Sequence, residues 1–359
     1  MDLMTEITLL RDIAHGGRIA QPARIAARLA AFVGTARTSA HLAVYDFRLG
    51  DELAEPVVAA LTEAAANGVD VRIAYDASKP ATGFAKLGAD PAPPGTAQWL
   101  HSRLGESKVG LRPVTTPSGQ LMHDKYVVVD GRRVWTGSTN FTDDAWTRQE
   151  NNVVRINSTA LGAAFERDFE QLWESGDIRR TGLGDRGTIT VGSAAVSWSF
   201  APGEGPAMDS DLVAMVSGVR NRLVIASMVV TSHALLSALA RAVDAGVGLS
   251  GMFDAGQMGP IARAWARSRS AASAQALADW TTVSARLVGK KSTPYTPTGV
   301  HDFMHLKVLV CDDTVATGSY NFSANAEANA ENQLRITAPA IADKYAAFVA
   351  TLVRAYGRA

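Results

Sequence analysis

The sequence predicts an α/β protein of two similar lobes facing each other across a two-fold-like axis, with mixed, mostly parallel sheets. Three observations predict it. The chain has 359 residues, more than a single hydrophobic core usually organises, so two domains are expected. A polar motif occurs twice: His123, Lys125, Asp130, Gly137, Ser138 and Asn140 in the first half are matched in order by His305, Lys307, Asp312, Gly318, Ser319 and Asn321 in the second. Each half also reads strand, helix, strand ahead of its motif, the order of a parallel pair joined by a crossover helix.

In the first half, residues 42–47 form an apolar strand, 52–67 a helix closed by Gly68, and 69–75 a second strand ending at Asp76. In the second, residues 223–230 are the strand, Ser232 caps a helix that closes at Gly246, and the next strand ends at Asp254. Residues 126–129 and 308–311 are continuous apolar runs, the pattern of strands covered on both faces. Short strands at 134–136 and 314–317 then lead into the two Gly-Ser-x-Asn segments. Each half ends in a helix whose aromatic residues recur at helical spacing: Phe165, Phe169 and Trp173 in one, Tyr345, Phe348 and Tyr356 in the other. Those aromatics are read as core. The polar, Gly- and Arg-rich stretch at 176–187 places the boundary, giving lobes at 1–180 and 187–359.

Composition narrows the class. Lys plus Arg equals Asp plus Glu, 35 each, so no global field draws the chain to nucleic acid or to an anionic membrane, and any polyanion binding must be local. The single cysteine, Cys311, excludes an internal disulfide and lies in an apolar strand, where a buried thiol is expected. The first residues lack the basic and apolar pattern of a secretory signal, and no run reaches the roughly 18 apolar residues of a membrane span, so a cytoplasmic protein without integral membrane association is expected.

The repeated residues suit one reaction. Positions i and i+2 of a strand share a face, so His123 and Lys125 point together, as do His305 and Lys307. If the two strands meet end to end, a neutral imidazole can attack a tetrahedral phosphorus while a protonated one on the opposite side donates to the leaving oxygen. Lys125, Lys307, Ser138, Ser319, Asn140 and Asn321 would hold the non-bridging oxygens without a metal. Glu150 and Glu331, each ten residues past its motif asparagine, would accept from the far nitrogen of a histidine. Asp130 and Asp312 are assigned to turns. A cation beside His301 and Asp302 is disfavoured by the neighbouring lysine, so neither metal nor cofactor is expected. One histidine from each copy makes a single site, for which a monomer suffices.

These motifs resemble the phospholipase D superfamily, whose signature is His-x-Lys, four residues, Asp, six residues, Gly-Ser-x-Asn. The first copy fits throughout; the second has five residues between Asp312 and Gly318. The resemblance implies two α/β/α sandwich lobes with the site between them, a phosphohistidine intermediate and no required metal. By the same analogy His123 is the nucleophile and His305 the proton donor. The flanks Asn140-Phe141-Thr142 and Asn321-Phe322-Ser323 are similar to those of the small bacterial endonucleases and the cardiolipin hydrolase branch.

That likeness favours a phosphodiesterase acting on nucleic acid, with a phospholipase or phosphatidyl transferase as the alternative and a silent phosphate-binding component of a defence or repair complex as the third. Lys79, Lys86, Arg103, Lys108 and Arg112 outnumber Asp90 and Glu106 before the first motif, and Arg263, Arg267, Arg269, Arg286, Lys290 and Lys291 outnumber Asp279 before the second, which predicts a basic rim. Trp265 and Trp280 are assigned to core packing rather than base stacking. The proline-rich segments 91–94 and 294–297 are the candidate walls of an apolar groove.

Overall fold

A computed structural model describes residues 5–77, 95–294, 296 and 299–357. The first lobe runs β1 (Thr5–Leu10), α1 (Gln21–Val33), β2 (Ser39–Val44), β3 (Phe47–Arg48), α2 (Asp51–Ala66), β4 (Asp70–Asp76), α3 (Thr96–Leu104), β5 (Gly110–Val114), β6 (Lys125–Val129), β7 (Arg133–Gly137), β8 (Phe141–Thr142), α4 (Asp143–Thr147), β9 (Asn151–Asn157) and α5 (Thr159–Ser175). The second runs β10 (Arg186–Val191), β11 (Ala194–Ala201), α6 (Gly205–Gly218), β12 (Leu223–Ser227), α7 (His233–Asp244), β13 (Leu249–Asp254), α8 (Ala255–Arg267), α9 (Ala271–Ser284), β14 (Val288–Lys290), β15 (Lys307–Cys311), β16 (Thr314–Gly318), β17 (Glu331–Thr337) and α10 (Pro339–Tyr356).

The strands form two large mixed sheets, ordered β1-β9-β7-β6-β2-β4-β5 and β10-β11-β17-β16-β15-β12-β13-β14. The crossover helices α2 and α7 join parallel pairs as their sequence order requires, β2 with β4 and β12 with β13. The expectation of mostly parallel sheets is corrected: within these two sheets, parallel pairing extends only to β5 and β14, and the other ladders are antiparallel. The reason lies in the motif strands. Each is joined to its successor by a turn of two or three residues, which permits only a hairpin.

Those turns carry the motif aspartates. Asp130 and Asp312 adopt left-handed φ of 52° and 50°, a region that Asp tolerates better than most residues. Asp130 accepts from the backbone N–H groups of Arg37 and Thr38 at 2.8 Å. Asp312 accepts from those of Arg220, Asn221 and Arg222 at 2.8 to 2.9 Å. Each carboxylate thereby ties the hairpin to the chain entering β2 or β12. Burial pushes the Asp130 carboxyl up, but the backbone donors outweigh it and hold it down at about 2; the same balance lowers Asp312.

The central core unites the lobes. Phe165, Phe169 and Leu172 of α5 and Tyr345, Val349 and Leu352 of α10 pack with Tyr126, Val128, Val308 and Val310 from both motif strands. The opposite faces of those strands lie against α1 and α2 in one lobe and α6 and α7 in the other. Burial on both faces explains their unbroken apolar runs. α5 is delimited by the Ser158 side chain, which accepts from Leu161 N, and by Gly176 in a left-handed conformation. Ser232 caps α7 in the same way. Cys311 is buried, and desolvation pushes its thiol up to about 12.

Candidate active site

Each reactive histidine stands just ahead of its motif strand and is pinned by the other lobe. His123 N donates to Ala330 O at 2.8 Å, and His305 N donates to Glu150 O at 3.2 Å. One residue earlier, Met122 N donates to Asp76 Oδ2 and Met304 N to Asp254 Oδ2, both at 2.8 Å. In the sequence Asp76 and Asp254 are the last residues of the two parallel strands. They also fix the height at which each histidine leaves the sheet. The only trace of this was that both parallel strands end in Asp.

Both histidines line one cavity of about 530 Å³, together with Asn140 and Asn321. Lys125 and Lys307 lie beneath it, buried, with their ammonium groups donating to the carbonyls of His123 and His305. Burial, then the proximity of Lys125, holds Lys307 well below the usual lysine range. Tyr45 closes one side, its ring 4.7 Å from that of His123 and 4.9 Å from the Lys125 ammonium. Leu121, Met228, Val300 and Phe303 supply apolar wall, and Asp46, Arg48, Asp144 and His301 supply polar wall. His301, weighed from sequence only as a metal ligand, is held by Thr296 O at 2.7 Å and stacks on Phe303.

The two carboxylates predicted to orient the histidines part company. Glu331 Oε2 lies 2.8 Å from His123 Nδ1, across the lobe boundary. His305 Nδ1 instead meets Asn151 Oδ1 at 3.0 Å. The Glu150 side chain points elsewhere, taking Lys290 Nζ at 2.8 Å and the Tyr356 hydroxyl at 2.5 Å. The assignment of Glu150 to His305 is therefore corrected. Its backbone carbonyl holds His305, while its carboxylate belongs to a buried inter-lobe network with Lys290, Asp12 and Arg148.

Ladder register explains the exchange. Gly137 pairs with Val153 in β7–β9, whereas Gly318 pairs with Gln333 in β16–β17. Counting back from these pairs, Asn152 corresponds to Asn332, Asn151 to Glu331, and Glu150 to Ala330. The glycines agree: a Cβ on Gly137 would lie 2.2 Å from Asn152 O, and one on Gly318 2.3 Å from Asn332 O. The two copies thus differ by one residue between motif and strand, and equal sequence spacing concealed it.

The serines act one layer behind the cavity. Ser138 Oγ donates to Asn151 Oδ1 at 2.8 Å and accepts from Asn152 N at 3.0 Å. Ser319 Oγ accepts from Asn332 N at 2.9 Å and from Asn332 Nδ2 at 3.3 Å, and donates to Asn332 O at 3.5 Å. Both hydroxyls are fully buried and neither lines the cavity; Ser138 bonds the amide that meets His305, and Ser319 bonds the residue next to Glu331. Burial raises the Glu331 carboxyl to about 8, against the pull of Lys125 and the bonds from Ser319 and Asn329.

Of the basic side chains named for the predicted rim, none among the described residues lines the cavity. Among the described residues, the Lys or Arg lining the cavity is Arg48, which bonds Asp46 at 2.7 and 2.8 Å. Arg103 pairs with Asp51, and Lys290 is buried in the inter-lobe network. Lys79, Lys86, Asp90, the 91–94 segment and Pro297 lie outside the described residues. Trp280 packs edge-on against Phe253 at 4.9 Å, and neither it nor Trp265 lines the cavity.

Comparison with known proteins agrees with this architecture. Mitochondrial cardiolipin hydrolase of Xenopus laevis is 40% identical over 60 residues, 17% of this chain and 29% of that protein. Phospholipase D of Rickettsia bellii (strain RML369-C) is 29% identical over 137 residues, 38% of this chain and 58% of that one. The chain thus spans less than two thirds of these relatives. The phosphatidylserine synthase structure from Haemophilus influenzae Rd KW20 superposes with a TM-score of 0.63 at 15% identity, covering 94% of this chain and 82% of that one, a likeness of fold. The polyphosphate kinase of Porphyromonas gingivalis does so at 0.59 and 12% identity, over 98% and 47%. The family model described as cardiolipin synthase, PLD-like domain, matches residues 29–173 and 212–352, and the chain belongs to this phospholipase D-like family of phosphodiester hydrolases and transferases.

Proposed function

We propose that the chain is a phosphodiesterase that forms a phosphohistidine on His123, with a phospholipid as the better supported substrate class. The observation that carries the reading is the pair of histidines, one from each lobe, lining a single cavity with Asn140 and Asn321. His123 attacks phosphorus through Nε2. Glu331 at Nδ1 offsets the positive charge that its ring gains on phosphorylation. His305 protonates the leaving oxygen, then removes the proton of the incoming water or alcohol. The asparagine amides and the buried lysines below them offset charge on the non-bridging oxygens.

The substrate preference moves from nucleic acid toward lipid because of the wall. Leu121, Met228, Val300 and Phe303 suit an apolar flank of a diester, and Arg48 is already engaged by Asp46. Nucleic-acid binding rests on unpaired basic side chains along a groove. The names of the relatives point the same way. A silent binding role is disfavoured by the His123–Glu331 dyad, which a passive phosphate site does not require.

The test is to incubate the protein, with and without EDTA, with labelled phosphatidylcholine, cardiolipin, single-stranded DNA, duplex DNA and RNA. Lipid cleavage that survives EDTA is expected. Cleavage of nucleic acid alone would reverse the substrate assignment, and complete loss of activity in EDTA would refute the metal-independent scheme. His123→Ala and His305→Ala should each abolish turnover; near wild-type rates in either would refute the paired-histidine chemistry.

A further inference from the structure

We infer that Asn151 is the positioning residue of the second catalytic histidine, and that replacing a carboxylate by this amide makes His305 the more acidic of the two imidazoles. The inference rests on the proposed reaction and deepens it by giving the two histidines unequal proton affinities. Asn151 Oδ1 faces His305 Nδ1 at 3.0 Å and also accepts from Ser138 Oγ at 2.8 Å. Its amide nitrogen donates to Ala145 O at 3.1 Å and Gln149 Oε1 at 3.2 Å. Both ends of the amide are thus assigned by their partners, and the residue is fully buried. A fixed carbonyl oxygen at Nδ1 requires that nitrogen to carry its hydrogen, which leaves Nε2 as the nitrogen that gains and loses the catalytic proton.

The copies differ in charge at this point. Across the cavity, His123 shares its Nδ1 contact with a carboxyl group, and the pair holds an additional proton to higher pH than an imidazole beside a neutral amide. Other titratable and charged groups surround His305: Lys307 on its own segment, Lys125 and His123 from the first motif, Glu331 from β17, and Asp144 and His301 on the cavity wall. The lysines disfavour the imidazolium and Asp144 favours it; what differs visibly between the rings is the charge of the group at Nδ1, a carboxyl in one and an amide in the other. The contact at Nδ1 separates them. With one proton shared between the two rings, the reactive form, His305 protonated and His123 Nε2 free, is the minor one, but in that form a donor of lower proton affinity gives up its proton more readily to the leaving oxygen; in the second half-reaction the neutral ring accepts one from water or an alcohol, and no further reactant is needed.

Ring titration of the intact wild-type protein by NMR, with His123→Ala and His305→Ala for assignment, tests this without reference to turnover. His305 should titrate below the His123–Glu331 pair. Equal or reversed order would overturn the inference. In Glu331→Gln the His123 transition should fall toward that of His305. In Asn151→Asp the His305 transition should rise by about one pH unit or more, and the limb of the pH–rate profile governed by His305 should rise with it. An Asn151→Asp variant that folds, shows the wild-type circular dichroism spectrum and leaves the His305 transition unmoved would also overturn it. If wild-type protein turns over no phosphodiester, the functional reading fails while the order of the ring titrations still decides this one.

Discussion

At the scale of single residues, the site rests on acceptors rather than on the reactive groups alone. Glu331 and Asn151 occupy equivalent ladder positions and each holds an Nδ1, with Ser319 and Ser138 behind them. Glu150 has the same sequence spacing as Glu331 but a different duty. Glu331→Gln should therefore lower turnover by about 10²-fold or more, as loss of a histidine-orienting carboxylate does elsewhere. Glu150→Gln should keep turnover within about tenfold while lowering the melting temperature, because it weakens a charge-assisted bond to Lys290 worth roughly 1.5–3 kcal/mol. Steady-state kinetics and calorimetry on the two variants check this. Equal loss of activity in both would refute the register assignment.

At the scale of elements, the hairpin turns hold the motif strands in place. The Asp130 carboxyl collects backbone donors from the chain entering β2, and its affinity for a proton falls to about 2. A carboxylate with a depressed folded value contributes stability above its unfolded value near 4, and that contribution is lost as pH falls from about 4 to about 2. Asp130→Ala should cost about 1–2 kcal/mol at neutral pH, similar to loss of a helix cap. Denaturant titrations at pH 7 and pH 2.5 check it: the difference between variant and wild type should shrink at the lower pH. A difference that stays constant would mean that the charge contributes nothing.

At the scale of the whole molecule, the lobes are joined by more than a shared apolar layer. Lys290, from the second lobe, lies buried between Glu150 and Asp12 of the first at 2.8 and 3.3 Å, with the Tyr356 ring 5.3 Å from its ammonium. Removing one member of a buried charge network leaves the others uncompensated, at a cost of about 3–5 kcal/mol. Lys290→Met should destabilise by this amount in equilibrium unfolding. It should also weaken activity, because Glu150 O holds His305 N and one site needs both lobes. A change below about 1 kcal/mol would show the network to be dispensable.

Much of this was determined by the sequence alone. Periodicity and capping residues define the strands and helices, the duplication defines two lobes, and the motif histidines and lysines mark the site for which paired chemistry is proposed, because these are local patterns set by backbone period and side-chain type. Register across a ladder is not local. Whether Glu150 or Asn151 faces His305 depends on one residue of slack between β8 and β9, which alternation along a strand cannot reveal and which inverts every side chain it touches. The wall of the cavity was likewise decided in three dimensions. Counting charges along connecting segments predicted a basic rim, yet Lys290 is drawn into a buried network and Arg48 into a pair with Asp46. Which partner a charge meets is a property of packing, and packing assigned the orienting amide, the inter-lobe network and the mixed wall that sequence left open.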